Sequence, residues 1–261
     1  MKLAIAGKGG AGKTSFAAWL ADYLARQGKD VWLVDADTAL SLGQASGLDR
    51  AQLPAPLVQR EDLVQERIGA GMIHLSPEVG DLPEALSVPV PLGGSVAPGV
   101  TPGRKRLLVM GAVANAGGGC ACAANALLKA LLAHLVLDRK EWVVVDLEAG
   151  VEHLGRGTVM SVDALAVVSE PSLRALSTGA EIGRLAAEMG LANQALVLNR
   201  APEGTTLPDL PGLPPLAAAI PRLAGLEARQ IETTSVLGLP ESAMLDGLCA
   251  RFLEQVERRR K

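Results

Sequence analysis

Aromatic side chains make up only 2% of the 261 residues, and the formal net charge is −3. A chain with so few stacking rings and no basic excess lacks both devices by which sequence-tolerant nucleic-acid binders hold a strand, so DNA and RNA are not expected partners. Long apolar runs are missing as well. A membrane span needs about 18 to 20 apolar residues, whereas Lys129 and His134 interrupt the longest candidate. The opening "MKLAIAGKGG" lacks the apolar core of a signal peptide. These absences point to a cytoplasmic protein without stable membrane association. Cysteine is scarce too: three residues make no disulfide framework, and in a reducing compartment metal binding or catalysis is the commoner use. Two of the three, Cys120 and Cys122, stand one residue apart behind Gly117, Gly118 and Gly119.

What is present is apolar and alternating. Hydrophobic residues are 49% of the chain, enough for a sizeable core. The runs "KLAIA", "DVWLVDAD", "RLLVMGAV", "WVVVDLEAG", "ALAVVSE", "QALVLN" and "PLAAAI" read as strands, several of them apolar throughout. Continuously apolar strands separated by helical patterns indicate a mostly parallel sheet covered on both faces. Between them, helices are expected from Lys13 to Gln27, ending before Gly28, and from Ser172 to Met189, opened by Pro171 and closed by Gly190. No internal repeat is visible. Residues 83–104 are rich in Pro, Gly and Val without a period and read as an ordered surface excursion leading to the cysteines, so a single domain over residues 1–261 is expected.

Residues Gly7 to Thr14, "GKGGAGKT", fit G-x-x-x-x-G-K-[ST] directly after a strand and at the start of a helix. Glycines let the backbone curl until successive N–H groups face phosphate oxygens, and the helix N-terminus adds its positive end. In that geometry Lys13 reaches the terminal phosphates and Thr14 ligates Mg²⁺. Asp146, closing the apolar run "WVVVD", is placed to hold the same ion directly or through water. Lys8 stands five residues before Lys13, where serving the same nucleotide needs a sharp fold-back; a reach across a two-fold axis is the alternative.

With Lys8 to Thr14 reading K-G-G-x-G-K-T, the sequence resembles the deviant Walker A ATPases, the group of MinD, ParA, ArsA and the nitrogenase iron protein. The resemblance extends over residues 1 to about 240 and implies a three-layer α/β P-loop NTPase fold that binds ATP or ADP with Mg²⁺. It implies that Lys8 contacts the partner subunit's nucleotide, and that Gly9, Gly10, Ala11, Gly12, Lys13, Thr14 and Ser15 hold the bound one. "VDADT" resembles switch I, with Asp37 matching the acidic residue that positions the attacking water or the Mg²⁺ shell; "DLEAG" resembles switch II, and Asn199 matches the adenine-contacting asparagine. Where the group commonly has Pro-x-Asp near the adenine, this sequence has Pro221-Arg222-Leu223.

The cysteines narrow the resemblance. Residues two apart lie about 200° apart around a helix but on one side of a strand. Cys120 and Cys122 can therefore converge only if extended or looped, with a helix resuming at about Ala123. Two thiolates are half of a four-ligand site, which a two-fold dimer completes. The succession of "GRKRLLVMGAV", "GGGCACAANALLKALLAHLV" and "DLEAGVEHLGRGT" resembles the CooC-type ATPases, nickel-insertion proteins of carbon monoxide dehydrogenase, whose C-x-C binds metal between subunits. This implies a homodimer holding Ni²⁺ or Zn²⁺ through Cys120 and Cys122 and a client nickel enzyme, carbon monoxide dehydrogenase.

Plainer readings stand beside these. The C-x-C pair could be two inert buried thiols, and Cys249, spaced helically with Leu245, Leu248, Phe252, Leu253 and Val256, reads as core. His153 could be a ligand or a hydrogen-bonded structural histidine, and Glu148 and Glu152 could relay charge or stabilise a switch. The C-terminal helix mixes Asp246, Glu254 and Glu257 into its polar face, which favours packing over a lipid anchor. Two other functions remain open: a MinD/ParA-like ATPase cycling on a surface, and an electron-transfer protein, which would need ligand cysteines from well-separated segments.

Overall fold

The computed structural model describes residues 1–69, 77–111, 120–137, 141–148 and 162–259, the side chains of 120–125 and 136–137 excepted. Eight strands form one sheet: β1 (Lys2–Ala6), β2 (Val31–Ala36), β3 (Val88–Pro89), β4 (Lys105–Val109), β5 (Trp142–Leu147), β6 (Ala164–Ser169), β7 (Gln194–Asn199) and β8 (Leu216–Ile220), in the order β3-β4-β2-β5-β1-β6-β7-β8. Every pairing is parallel except β3 against β4. The seven long strands are those expected from the apolar runs. The short β3 falls in the Pro/Gly-rich excursion, where no period announces a strand.

Side chains alternate across the sheet as strand geometry requires. Leu3, Ile5, Val31 and Leu33 enter one core, with Phe16 and Leu20 of helix α1 (Lys13–Arg26), Leu42 of α2 (Leu42–Ala45) and the C-terminal helix. Ala4, Ala6, Trp32 and Val34 enter the other, with Leu63 of α3 (Glu61–Ile68), Leu82 of α4 (Leu82–Leu86), Leu131 of α5 (Cys120–Leu137) and Ile182 of α6 (Leu173–Glu188). The result is helices, sheet, helices. Two later helices, α7 (Ala224–Glu232) and α8 (Ser242–Arg258), follow β8. The chain's two phenylalanines meet between α1 and α8, Phe16 and Phe252 packing edge to face at 5.2 Å. Cys249 is buried in the same core as expected, its thiol pushed well above the ordinary range by burial.

One local expectation is corrected. α5 starts at Cys120, so both cysteines of the pair lie in helical backbone and not in an extended or looped lead-in ending at Ala123. Ala121, Ala123 and Ala124 have the highest intrinsic helix propensity, which carries the helix up to the glycine run. Among the described residues no helix is long and apolar enough to cross a membrane.

Candidate functional site

The parallel strands β1, β2, β5, β6 and β7 bring their carboxyl ends to one edge, and the P-loop lies there between β1 and α1. Gly12 caps α1 at φ 100° and ψ 23°, a left-handed conformation costly for other residues, and no side chain caps the helix. The first-turn amides are thus without the intrahelical partners that helix geometry denies them. At Gly7 a Cβ would stand 2.1 Å from the carbonyl oxygen of Val168, so glycine is also required by the approach of β6. Lys8, Gly9 and Gly10 are exposed at the tip, Ala11 and Lys13 are buried, and Thr14 and Ser15 are half-buried.

Behind the loop sit three carboxylates. β2 and β5 are in register with Asp35 beside Asp146. Asp146 is fully buried; its Oδ2 accepts from the Thr14 hydroxyl at 2.6 Å, while its Oδ1 has no hydrogen-bond partner. Burial pushes its pKa up to about 7, with Asp35 and Asp37 adding to the rise and Thr14 and Lys13 opposing it. Asp35 is raised to about 6, again mainly by burial. Asp37 faces the Lys13 ammonium at 3.9 Å. A buried carboxylate oxygen lacking a partner, next to a second carboxylate and a hydroxyl, is an oxygen-only donor set of the kind that hard divalent cations such as Mg²⁺ take.

Two residues of this edge escaped the sequence reading. Asp35 closes the loop that follows it, accepting from Asp37 N at 3.3 Å and Leu42 N at 3.0 Å, while its carbonyl oxygen accepts from Met110 N at 2.9 Å and Gly111 N at 3.2 Å. A carboxylate two positions before Asp37 was the available signal. Thr38 donates to Glu148 at 2.9 Å and so joins the two segments resembling switches. Backbone strain marks the same edge: among the described residues only Leu40 (φ 49°) and Arg200 (φ 54°) are non-glycine residues with positive φ.

Asn199, expected at the adenine, is tied to the P-loop itself. Its Nδ2 donates to the carbonyl oxygen of Ala11 at 2.8 Å and its Oδ1 accepts from Arg200 N at 3.0 Å. Arg222, standing where the related group has its middle Pro-x-Asp residue, is exposed and pairs with Glu227 at 3.6 Å. The thiols of Cys120 and Cys122 lie outside the described side chains, and Glu152 and His153 outside the described residues. Among the described residues no three His, Cys, Asp or Glu are grouped so as to hold a metal ion.

Comparison with known proteins agrees with this geometry. Residues 2–213 match the model of the CobQ/CobB/MinD/ParA nucleotide binding domain. The chain is 39% identical over 207 residues, 77% of its length and 74% of the relative's, to a protein of Rhodospirillum rubrum named carbon monoxide dehydrogenase accessory protein CooC. It is 36% identical over 206 residues, 77% of the chain and 75% of the relative, to an uncharacterized ATP-binding protein of Methanocaldococcus jannaschii. Among solved structures, MinD in the MinC:MinD cell division complex of Aquifex aeolicus superposes with a TM-score of 0.67 at 19% identity, covering 97% of this chain and 95% of that one, a likeness of fold. The chain therefore belongs to the CobQ/CobB/MinD/ParA nucleotide-binding family and, within its MinD/ParA group, is a CooC-type ATPase.

Proposed function

We propose that the chain is an accessory ATPase for a nickel enzyme, carbon monoxide dehydrogenase, and works as a homodimer that carries Ni²⁺ or Zn²⁺ as cargo between its subunits on Cys120 and Cys122. The observation that carries this reading is the 39% identity to the accessory protein of Rhodospirillum rubrum. Because residues two apart diverge on a helix, sharing one ion between Cys120 and Cys122 requires the first turn of α5 to open when metal binds. Thiolates near a helix N-terminus are favoured electrostatically, and four of them from two subunits suit either metal.

ATP is the substrate, split to ADP and phosphate. Gly9 to Ser15 hold its phosphates; Lys13 neutralises charge on the transferred group, and Asp37 orients the attacking water. Thr14 and Asp146 would hold Mg²⁺, which when bound neutralises the phosphate oxygens. Lys8, exposed at the loop tip, reaches the partner subunit's nucleotide. ATP can drive cargo release only by binding two dimer arrangements with different affinity.

Native mass spectrometry of anaerobically purified protein with Ni²⁺ or Zn²⁺ tests the metal. One ion per dimer, lost in Cys122→Ser, is expected; a metal indifferent to that substitution refutes the cargo site. Lys8→Ala is expected to bind nucleotide but to stay monomeric with ATP in sedimentation velocity, and wild-type dimerisation would refute the reach across subunits.

Membership of the CobQ/CobB/MinD/ParA family leaves room for a second reading, a MinD/ParA-like ATPase cycling on a surface. Against it, the apolar residues of α8, among them Leu245, Leu248, Phe252 and Val256, are already buried in the core. ATP-dependent co-sedimentation with anionic vesicles would favour it.

A further inference from the structure

Resemblance assigns Asn199 to the adenine; the geometry points to a different task. Asn199 ends β7, is 8% exposed, and spans 188 positions of sequence to reach the P-loop through the bond from Nδ2 to Ala11 O. The loop's own turn uses the other side of the same residue, Ala11 N donating to Lys8 O at 3.1 Å. A trans peptide unit points its C=O and N–H in opposite directions. Drawing the Ala11 carbonyl toward Asn199 therefore turns the Gly12 N–H to the opposite side, the side on which a phosphate-binding loop collects its amides. The fit is close. A Cβ on Gly12 would stand 2.2 Å from Asn199 Nδ2, so a side chain there would collide with the same amide. The second end of the side chain is engaged as well, accepting from the backbone of Arg200, which is held in a left-handed conformation.

We propose that Asn199 is a positioning residue for the phosphate cradle: it sets the orientation of the Ala11–Gly12 peptide and thereby the affinity for the polyphosphate, whatever base is attached. This rests on the P-loop being the nucleotide site. A group that only contacts adenine affects ligands carrying adenine, whereas a group that shapes the cradle affects any ligand carrying the phosphates.

The test is calorimetric titration of the full chain with Mg·ATP and with Mg·tripolyphosphate, which has no base. In Asn199→Ala both ligands are expected to weaken by a common factor of about 5 to 150, the scale for leaving one buried acceptor unpartnered. In Asn199→Asp, which retains the acceptor for Arg200 N–H but cannot donate to Ala11, both are again expected to weaken. Loss for ATP with unchanged tripolyphosphate binding would overturn the proposal in favour of a base contact. Unchanged affinity for both, with only a lower unfolding temperature, would reduce Asn199 to a structural role. Should neither variant fold, amide exchange of Arg200 in the wild type decides: tripolyphosphate alone must slow it as ATP does, and slowing by ATP only overturns the proposal. A wild type binding neither ligand would remove the nucleotide-site reading and this inference together.

Discussion

The two ends of α1 carry buried charge in opposite states of balance. At its carboxyl end Asp22 accepts from Lys105 Nζ at 2.6 Å, Arg26 Nε at 2.8 Å and Gly93 N at 2.7 Å, and Arg26 turns its Nη1 to Asp246 at 2.8 Å. Two acids meet two bases. Burial alone would raise the Asp22 carboxyl, but Lys105 and the hydrogen bonds outweigh it and hold the group below its ordinary range. At the amino end Asp37 and Asp146 share one buried base, Lys13, with Asp35 beside Asp146, and one oxygen of Asp146 has no hydrogen-bond partner. Closed networks of this kind hold elements together: this one joins α1 to β4, to the excursion at Gly93 and to α8. The open one keeps an electrostatic debt that a cation can settle, so burial of charge separates structure from function only when its partners are counted.

Removing the unpartnered carboxylate should have the largest effect. Asp146→Asn is expected to lower ATP hydrolysis at least about 100-fold, the scale for losing one group that organises charge at the reacting phosphate. The same change should raise the unfolding temperature of the ligand-free chain at pH 8. The sign follows from the raised folded-state pKa values, about 7 for Asp146 and about 6 for Asp35, against the ordinary 3.8. Stability from these groups is full below about pH 4 and is lost as pH rises through 6 and 7, by an amount on the order of a few kcal/mol. Thermal unfolding at pH 5 and pH 8 should therefore show a drop in the wild type that shrinks in Asp146→Asn; equal drops would contradict the open balance.

Breaking the closed end comes next. Asp22→Ala leaves Lys105 and Arg26 without their shared acceptor and is expected to cost about 3–5 kcal/mol in chemical denaturation. Replacing the pair, Asp22→Leu with Lys105→Met, should recover most of that loss while ATP affinity stays at the wild-type value. A large affinity change in the double variant would mean that this network also serves the site. The smallest effect belongs to the exposed link between the two segments resembling switches. Thr38→Val should alter stability by no more than about 0.5 kcal/mol and slow hydrolysis a few-fold in a steady-state phosphate-release assay; an unchanged rate would make the Thr38–Glu148 bond incidental.

Local patterns in the sequence were legible, and contacts between distant segments were not. The seven long strands and the P-loop are written in contiguous residues whose apolar runs, glycines and lysines carry their own reasons. At the cysteine pair two local signals conflict: three glycines suggest an extended lead-in, while the alanines around the cysteines favour helix, and the helix runs from Cys120 onward. The tasks of Asp35, binding the Asp37 and Leu42 amides and standing beside Asp146, are illegible in the sequence because they arise only once the loop has closed and β2 and β5 are paired. Lys105 and Asp22 are 83 positions apart, and no spacing rule connects them. Asn199 lay within reach of a family motif, yet its hydrogen bond to Ala11 belongs to the folded backbone alone.

β3 has a consequence for how copies of this chain can meet. It is two residues long and antiparallel to β4, and the next residue, Val90, turns its N–H inward to Lys105 O at 2.8 Å. Alternation along the strand then puts Pro89 on the outward side, where it has no N–H to offer. An incoming strand finds an edge too short and lacking a donor, so the sheet cannot be continued from one molecule into the next along this border. Self-association is thereby steered away from open-ended strand addition, the route that leads to fibres.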